Sequence, residues 1–341
     1  LQKPNGKIVK RRIRYLIAFA AWCCAVSGCS FVAGKQHQPQ PADFACLEAR
    51  EGAGRLVPLE LRPKNIYGMG LTYATHIRET ASRFDPHEAP PVFRKQSVSW
   101  NPSGRPVRLP DRQALIACAE SVEPGLGKRL DKDFKELPAL LDYEGELGFV
   151  LLEDVDWKKV RDPSYAPAIG YFVANDISAR TIAALGEGMD GRYAYWGASK
   201  SFDGFLPAGR MMWVPDTHRP DAILSAVITT RVNGEVRQRQ STTDMIYTPR
   251  QMLIFIAQKY PQDLPRKGDV VLTGTPSGVA LRIPGWKAAL SDTLRLDRFT
   301  KLGFLIRAGR KNPRFLKPGD IVEVSGGPLG EVRTEIAENG P

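Results

Sequence analysis

Two glutamates two residues apart, in Tyr143-Glu144-Gly145-Glu146, are the first residues whose type and spacing suggest chemistry. On a strand, alternate side chains share a face, so Glu144 and Glu146 aim two carboxylates into one space. Like charges that close raise each other's pKa unless a cation sits between them. Oxygen ligands of this kind suit Mg²⁺, Mn²⁺ or Ca²⁺ rather than zinc. A solvated strand face has the same spacing, so the pair alone does not decide. Asn175-Asp176-Ile177-Ser178-Ala179-Arg180 ends an apolar run with one acid and one base, which fits either a site or a capped turn. Lys200, before Ser201-Phe202-Asp203-Gly204-Phe205, is either a desolvated cation or a snorkelling one. Thr273-Gly274-Thr275-Pro276-Ser277-Gly278-Val279 lets backbone N–H groups face an anion, or forms a plain loop. On a helix, His76 and Glu79 are i and i+3 neighbours. Glu79 then orients the imidazole as a general base, or the two merely pair at the surface. His37, His87 and His218 lie in loop-like sequence and receive no role.

The elements that must position these residues are mostly strands. Glu146–Glu153 and Ala168–Val173 are apolar runs, and Ala226–Gln240 alternates β-branched residues around Asn233-Gly234, the pair a type I′ hairpin turn requires. Lys267-Gly268-Asp269 and Pro318-Gly319-Asp320 are turns that each feed a strand. Thr248-Pro249 opens a helix running to about Lys259, and a second helix signal covers Thr72–Arg83. The pattern predicts a β-rich α+β body (136–341) with a smaller N-terminal part (44–135) whose segment 70–83 carries His76.

In this order, the motifs resemble the fumarylacetoacetate hydrolase family: ExE, NDISAR, KSFD, VNGE with a following Gln, Thr and Met, TGTPSGV and LKPGDIVEV. GLTYATHIRE upstream is similar to that family's mobile lid. The resemblance spans roughly residues 60–335. It implies a mixed β-sandwich roll, usually homodimeric, holding one Mg²⁺ or Mn²⁺ (Ca²⁺ in crystals) through Glu144, Glu146 and Asp176. It further implies Lys200 as positive charge at the substrate oxygens, Thr275 and nearby amides as carboxylate binders, and Arg180 as added charge or a loop-ordering group. Phe93 and Lys95 would belong to a pocket wall, with His76 and Glu79 activating water. The implied reaction is hydrolysis of a C–C bond in a 2,4-dioxo acid of the acylpyruvate or fumarylpyruvate type, through a metal-stabilised enolate. Decarboxylation, tautomerisation or isomerisation, and dehydration of a related 2-oxo acid use the same enolate chemistry. A non-catalytic, oxo-acid-binding lipoprotein is the remaining alternative. The chain departs from the pattern at Ala183, where acylpyruvase-like members carry Gln, at Thr72, where Asn is common, and in a longer, basic stretch between Val279 and Phe315. That stretch (280–314) is read as a surface helix, with a membrane-surface or subunit contact as the alternative.

The amino-terminal residues have a different purpose. Six of the net +11 charges lie in the first 14 residues, before a 12-residue apolar run, Tyr15–Val26. A spanning helix needs about 20 such residues, so the run fits a signal segment. Val26-Ser27-Gly28-Cys29 resembles a lipobox. The expectation is a lipoprotein signal (1–28), lipidation of Cys29, a Gly/Gln/Pro tether (29–43) and export to the periplasmic face, with Ser30 pointing to the outer membrane. Globomycin is then expected to accumulate the precursor; unchanged processing on a gel overturns the lipobox reading. Of the five cysteines, only Cys46 and Cys118 would remain, free to pair in an oxidising compartment. The rest of the chain carries about +5 with no basic stripe among aromatics, which argues against a nucleic-acid partner. At 43% hydrophobic and 25% charged it is neither disordered nor a disulfide-stapled mini-protein.

Overall fold

The computed structural model describes residues 49–50, 52–79, 89–102, 104–282 and 296–338. The signal, the tether, Cys29, Cys46 and the side chain of Glu79 lie outside the described residues. No helix among the described residues is long and apolar enough to cross a membrane.

Two sheets dominate. The larger uses β1 (Gly54–Pro58), β2 (Ile66–Met69), β3 (Val92–Lys95), β5 (Gly145–Leu151), β6 (Ile169–Asn175), β7 (Met211–Pro215) and β10 (Val270–Leu272), in the order β1-β7-β6-β5-β10-β2-β3. Strands β5 and β6 are buried along their whole length and, apart from Glu146 and Asn175 at the site end, apolar, as centre strands covered on both faces must be. They pair antiparallel from Gly145 opposite Asn175 to Leu151 opposite Ile169. The second sheet uses β4 (Val107–Arg108), β8 (Val227–Val232), β9 (Glu235–Ser241), β11 (Ile321–Ser325) and β12 (Glu331–Ala337), in the order β9-β8-β11-β12-β4. Leu147, Tyr171 and Val173 of the first sheet share one core with Ile228, Val324 and Val332 of the second. The expected β-rich α+β architecture is therefore present.

Local chemistry accounts for the punctuation. Asn233 and Gly234 both take positive φ (52° and 81°), the type I′ requirement, between β8 and β9. Gly268 and Gly319 take φ of 83° and 87° at the two turns that feed β10 and β11. Thr248 caps the helix Pro249–Lys259 through a full capping box with Gln251. The N-terminal helix signal yields α1 (Ala74–Glu79); residues 80–88 are outside the described residues.

Four more helices build a second core together with Val232, Val322 and Ile336 of the second sheet. They are α2 (Arg112–Val122), α3 (Leu126–Asp133), α4 (Arg180–Leu185) and α5 (Arg192–Ser199). Within the 280–314 stretch, α7 (Arg298–Gly309) follows α6 (Pro249–Lys259) and buries Leu302 and Ile306 in that core. Its Arg298 makes a two-pronged bond to Glu123, at 2.7 and 2.6 Å. Cys118 on α2 carries a free thiol, which burial pushes up to about 11.

Candidate active site

Strands β5 and β6 separate just beyond the Gly145–Asn175 pair. Glu144 precedes that point on one strand and Asp176 follows it on the other. The fork is locked: the Asp176 amide donates to the Glu144 carbonyl at 2.8 Å, and the Glu144 amide donates to Asn175 Oδ1 at 3.0 Å. The glycine between the two glutamates is sterically required, since a Cβ there would lie 2.1 Å from Thr230 Oγ1. Carboxylate oxygens of Glu144, Glu146 and Asp176 consequently come within 4.8 Å of one another, all three buried.

Three cations enclose them. Helix α5 ends at Lys200, whose ammonium bonds Glu144 and Ser178 Oγ (2.7 Å) and lies 2.7 Å from Asp176 Oδ2. Among the described residues Asp176 Oδ2 has this ion-pair contact and no hydrogen bond. Lys95, at the end of β3, bonds the other Asp176 oxygen and the Phe205 carbonyl (3.2 Å). Arg180 opens α4 and spans Asp142 (2.8 Å) and Glu144. The Gly274 amide donates to Glu146 Oε2 at 2.9 Å.

Burial would raise the Glu144 carboxyl, but Arg180 and Lys200 outweigh it and hold it at about 2. Glu146 goes the other way: burial first, then the neighbouring Asp176 charge, push it well above the usual range. Lys95 is lowered by burial against the pull of Asp176, whereas Asp176 and Glu144 overcome burial and raise Lys200. The four carboxylates here, Asp142 included, exceed the three cations by one. A dication reverses that sign and leaves the site net positive, as an anionic ligand requires. The donor set is all carboxylate oxygen, and buried Asp176 Oδ2 accepts no hydrogen bond beyond its ion-pair contact with Lys200, so the residues fit a hard divalent ion.

The other expected residues fall around this cluster. His76 on α1 is buried and near enough to Glu144 for its charge to act there. The backbone of Glu79 ends α1, and its side chain is outside the described residues. Phe93 is buried, with the Lys200 ammonium 5.5 Å from its ring centroid. The Thr275 hydroxyl meets the Gly145 carbonyl at 3.2 Å and accepts from Gln238 Nε2 at 2.8 Å. Lys95 and Arg180, expected at the substrate, both bond ligand-type carboxylates. Sequence reasoning passed over Asp142 and gave no role to Ser178, which stands in the NDISAR run, or to Gln238. Asp142 directly precedes the Tyr-Glu-x-Glu motif and was visible as a third nearby acid. Gln238 reaches the site only through the fold: its side chain accepts from the Gly145 amide at 2.9 Å and donates to the Pro276 carbonyl at 2.9 Å.

The model of the fumarylacetoacetate (FAA) hydrolase C-terminal family matches residues 65–337. The chain belongs to that family. Among curated proteins, this fumarylacetoacetate hydrolase family member is 26% identical to the oxaloacetate tautomerase YisK of Bacillus subtilis, over 82% of this chain and 71% of that one. It is 27% identical to the mitochondrial oxaloacetate tautomerase fahd2 of Xenopus laevis, over 84% and 70%. Among solved structures, a fumarylpyruvate hydrolase from Pseudomonas aeruginosa in complex with Mn²⁺ and pyruvate shares the fold. Its TM-score is 0.51 at 19% identity, covering 85% of this chain and 95% of that one. The family comprises enzymes of more than one reaction class, and membership places this chain among enzymes without choosing a class.

Proposed function

We propose that this protein is a divalent-cation-dependent enzyme that forms and discharges the enolate of a small 2-oxo acid, and that it interconverts keto and enol forms of an oxaloacetate-type substrate. The observation that carries the reading is the buried convergence of Glu144, Glu146 and Asp176 beside Lys200. Glu144, Glu146 and Asp176 would hold a Mg²⁺ or Mn²⁺ ion, which would supply positive charge to stabilise an enolate. The chain's own residues supply the rest. Lys200 adds a fixed positive charge that its two carboxylate neighbours keep protonated. Thr275, once its hydroxyl proton turns from the Gly145 carbonyl, would receive the substrate carboxylate together with amides of its loop. His76 takes a proton from the carbon beside the carbonyl and returns it in the reverse direction. Similarity to two oxaloacetate tautomerases over more than four-fifths of the chain supports this class. So does Ala183, which offers no polar contact to a distal acyl group.

Hydrolytic C–C cleavage of a 2,4-dioxo acid is the second reading. His76 on α1 is the residue that would activate water in that reading, since the same imidazole serves as general base once a cleavable bond is present. A panel separates the two: enol-oxaloacetate ketonisation and acylpyruvate cleavage, each followed by ultraviolet absorbance with Mn²⁺, Mg²⁺ or EDTA. Cation-dependent ketonisation that falls at least tenfold in His76→Ala is expected. Acylpyruvate cleavage without ketonisation selects the second reading, and activity indifferent to EDTA overturns both. Lipid anchoring at Cys29, a periplasmic location and a homodimeric state are further proposals, resting on residues 26–30 and on family resemblance.

A further inference from the structure

One peptide group, between Thr273 and Gly274, has the cation cluster on one side and the root of helix α1 on the other. Its N–H is the donor to Glu146 Oε2 at 2.9 Å. Its C=O accepts from Thr72 Oγ1 at 2.6 Å. In a trans peptide these groups point in opposite directions, so Thr72 and Glu146 pull on the two ends of one dipole. Thr72 and Thr273 are both completely buried. Where water is excluded, a hydroxyl–amide–carboxylate chain polarises each successive link.

Both ends of the chain are anchored. The Thr72 carbonyl accepts the Ile246 amide at 2.9 Å, which holds the residue while α1 begins two positions later. Thr273 is fixed by its own hydroxyl and amide, both bonded to the Leu147 carbonyl, at 2.7 and 3.1 Å. Gly274 takes φ +94°, and a Cβ there would lie 2.4 Å from Thr72 Oγ1. Any side chain at position 274 would therefore break the link that Thr72 makes.

We propose that Thr72 is a positioning residue of the cation site: through the Thr273–Gly274 peptide it sets the orientation of Glu146, and it ties the helix carrying His76 to that carboxylate. The proposal rests on reading Glu144, Glu146 and Asp176 as a cation site. Without the hydroxyl, the Thr273 carbonyl loses its donor and the peptide loses the bond that fixes its tilt from the carbonyl side. The Gly274 N–H then no longer holds Glu146 in one direction, while its neighbours Asp176 and Glu144 still repel it.

The test uses the full chain and Mn²⁺ alone, with affinity measured by isothermal titration calorimetry and thermal stability measured without cation. Thr72→Val keeps the shape and removes the donor; Thr72→Ser keeps the donor. Groups that directly orient metal ligands typically change affinity about 10–100-fold, and this one acts one link further out, so Thr72→Val is expected to weaken Mn²⁺ binding roughly 5–10-fold. Thr72→Ser is expected to stay within about twofold of wild type. If Thr72→Val does not fold, Thr72→Cys, a weaker donor of similar size, takes its place with an expected loss of about threefold. A variant that melts earlier yet binds Mn²⁺ like wild type overturns the positioning role. Wild type that binds no Mn²⁺ overturns the cation-site reading itself, and this inference with it.

Discussion

Glu146→Gln is expected to abolish divalent-cation binding and to lower turnover at least about 10³-fold, while making the cation-free protein more stable than wild type. The loss follows from removing one of three anionic oxygen donors from a site whose cation supplies several kcal/mol of enolate stabilisation, each 1.36 kcal/mol being tenfold in rate. The gain follows from the charge of Glu146 itself. Its carboxyl is pushed well above the usual range by burial and then by Asp176, with Lys200 and the Gly274 amide only partly opposing. A glutamine in its place still accepts from Gly274 and carries no charge to desolvate. A carboxyl raised in the folded state contributes stability that is complete below its unfolded value, near 4.5, and is lost as pH rises toward the folded value. The variant's advantage is therefore absent at pH 4, opens above about 4.5 and reaches about 1 kcal/mol, a typical gain on relieving a functional strain. Saturating Mn²⁺ reverses the order, since a ligand at 100 times its Kd adds about 2.7 kcal/mol to wild type alone. Urea denaturation from pH 4 to 8, with and without Mn²⁺, measures all three effects. A Glu146→Gln variant less stable than wild type without cation contradicts this account.

Residues whose role is set by their chain neighbours are legible in the sequence itself. Asn233-Gly234 announces its hairpin because few other pairs accept two positive φ values in succession. Thr248 and Gln251 announce a helix start because each satisfies the other's backbone. Glu144 and Glu146 fall on one side of a strand end by simple alternation, and the structure brings Asp176 to them. What stays hidden depends on contacts far apart in sequence. Lys95 and Asp176 are 81 residues apart, so a buried lysine there reads as pocket wall. Gln238 lies on a hairpin whose outer residues are exposed, and nothing local marks its side chain as the link between Gly145 and Thr275. Ser178 and Asp142 sit inside or beside recognised motifs, yet their partners, Lys200 and residues 280–281, arrive only with the tertiary fold. Alternation and capping carry the scaffold; the charge balance of the site is a property of packing.

Asp142→Ala is expected to cost about 3–5 kcal/mol, the penalty for removing one member of a buried ion pair. Asp142 is completely buried and all its acceptor capacity is used. Oδ1 accepts the amides of Ala280 (2.7 Å) and Tyr143 (2.9 Å), and Oδ2 accepts Leu281 (3.0 Å) and Arg180 Nε (2.8 Å). Alanine leaves those amides without their acceptor and leaves Arg180 held only by Glu144. Asparagine is not a neutral swap, because its NH₂ must face either the Ala280 and Tyr143 amides or the Leu281 amide and Arg180, donor against donor in each case; a loss of about half that size is expected. Against a typical total of about 5–15 kcal/mol, the alanine change removes roughly a fifth of the stability or more. Urea midpoints read the effect directly, and a shift worth less than about 1 kcal/mol for alanine would refute the buried pair. The consequence reaches the site because Arg180 is shared. With Asp142 gone, its guanidinium can turn fully onto Glu144 and compete for the oxygens that a cation needs. Mn²⁺ affinity in the folded fraction is therefore expected to fall as well, which separates Asp142 from a purely structural acid whose loss lowers stability alone.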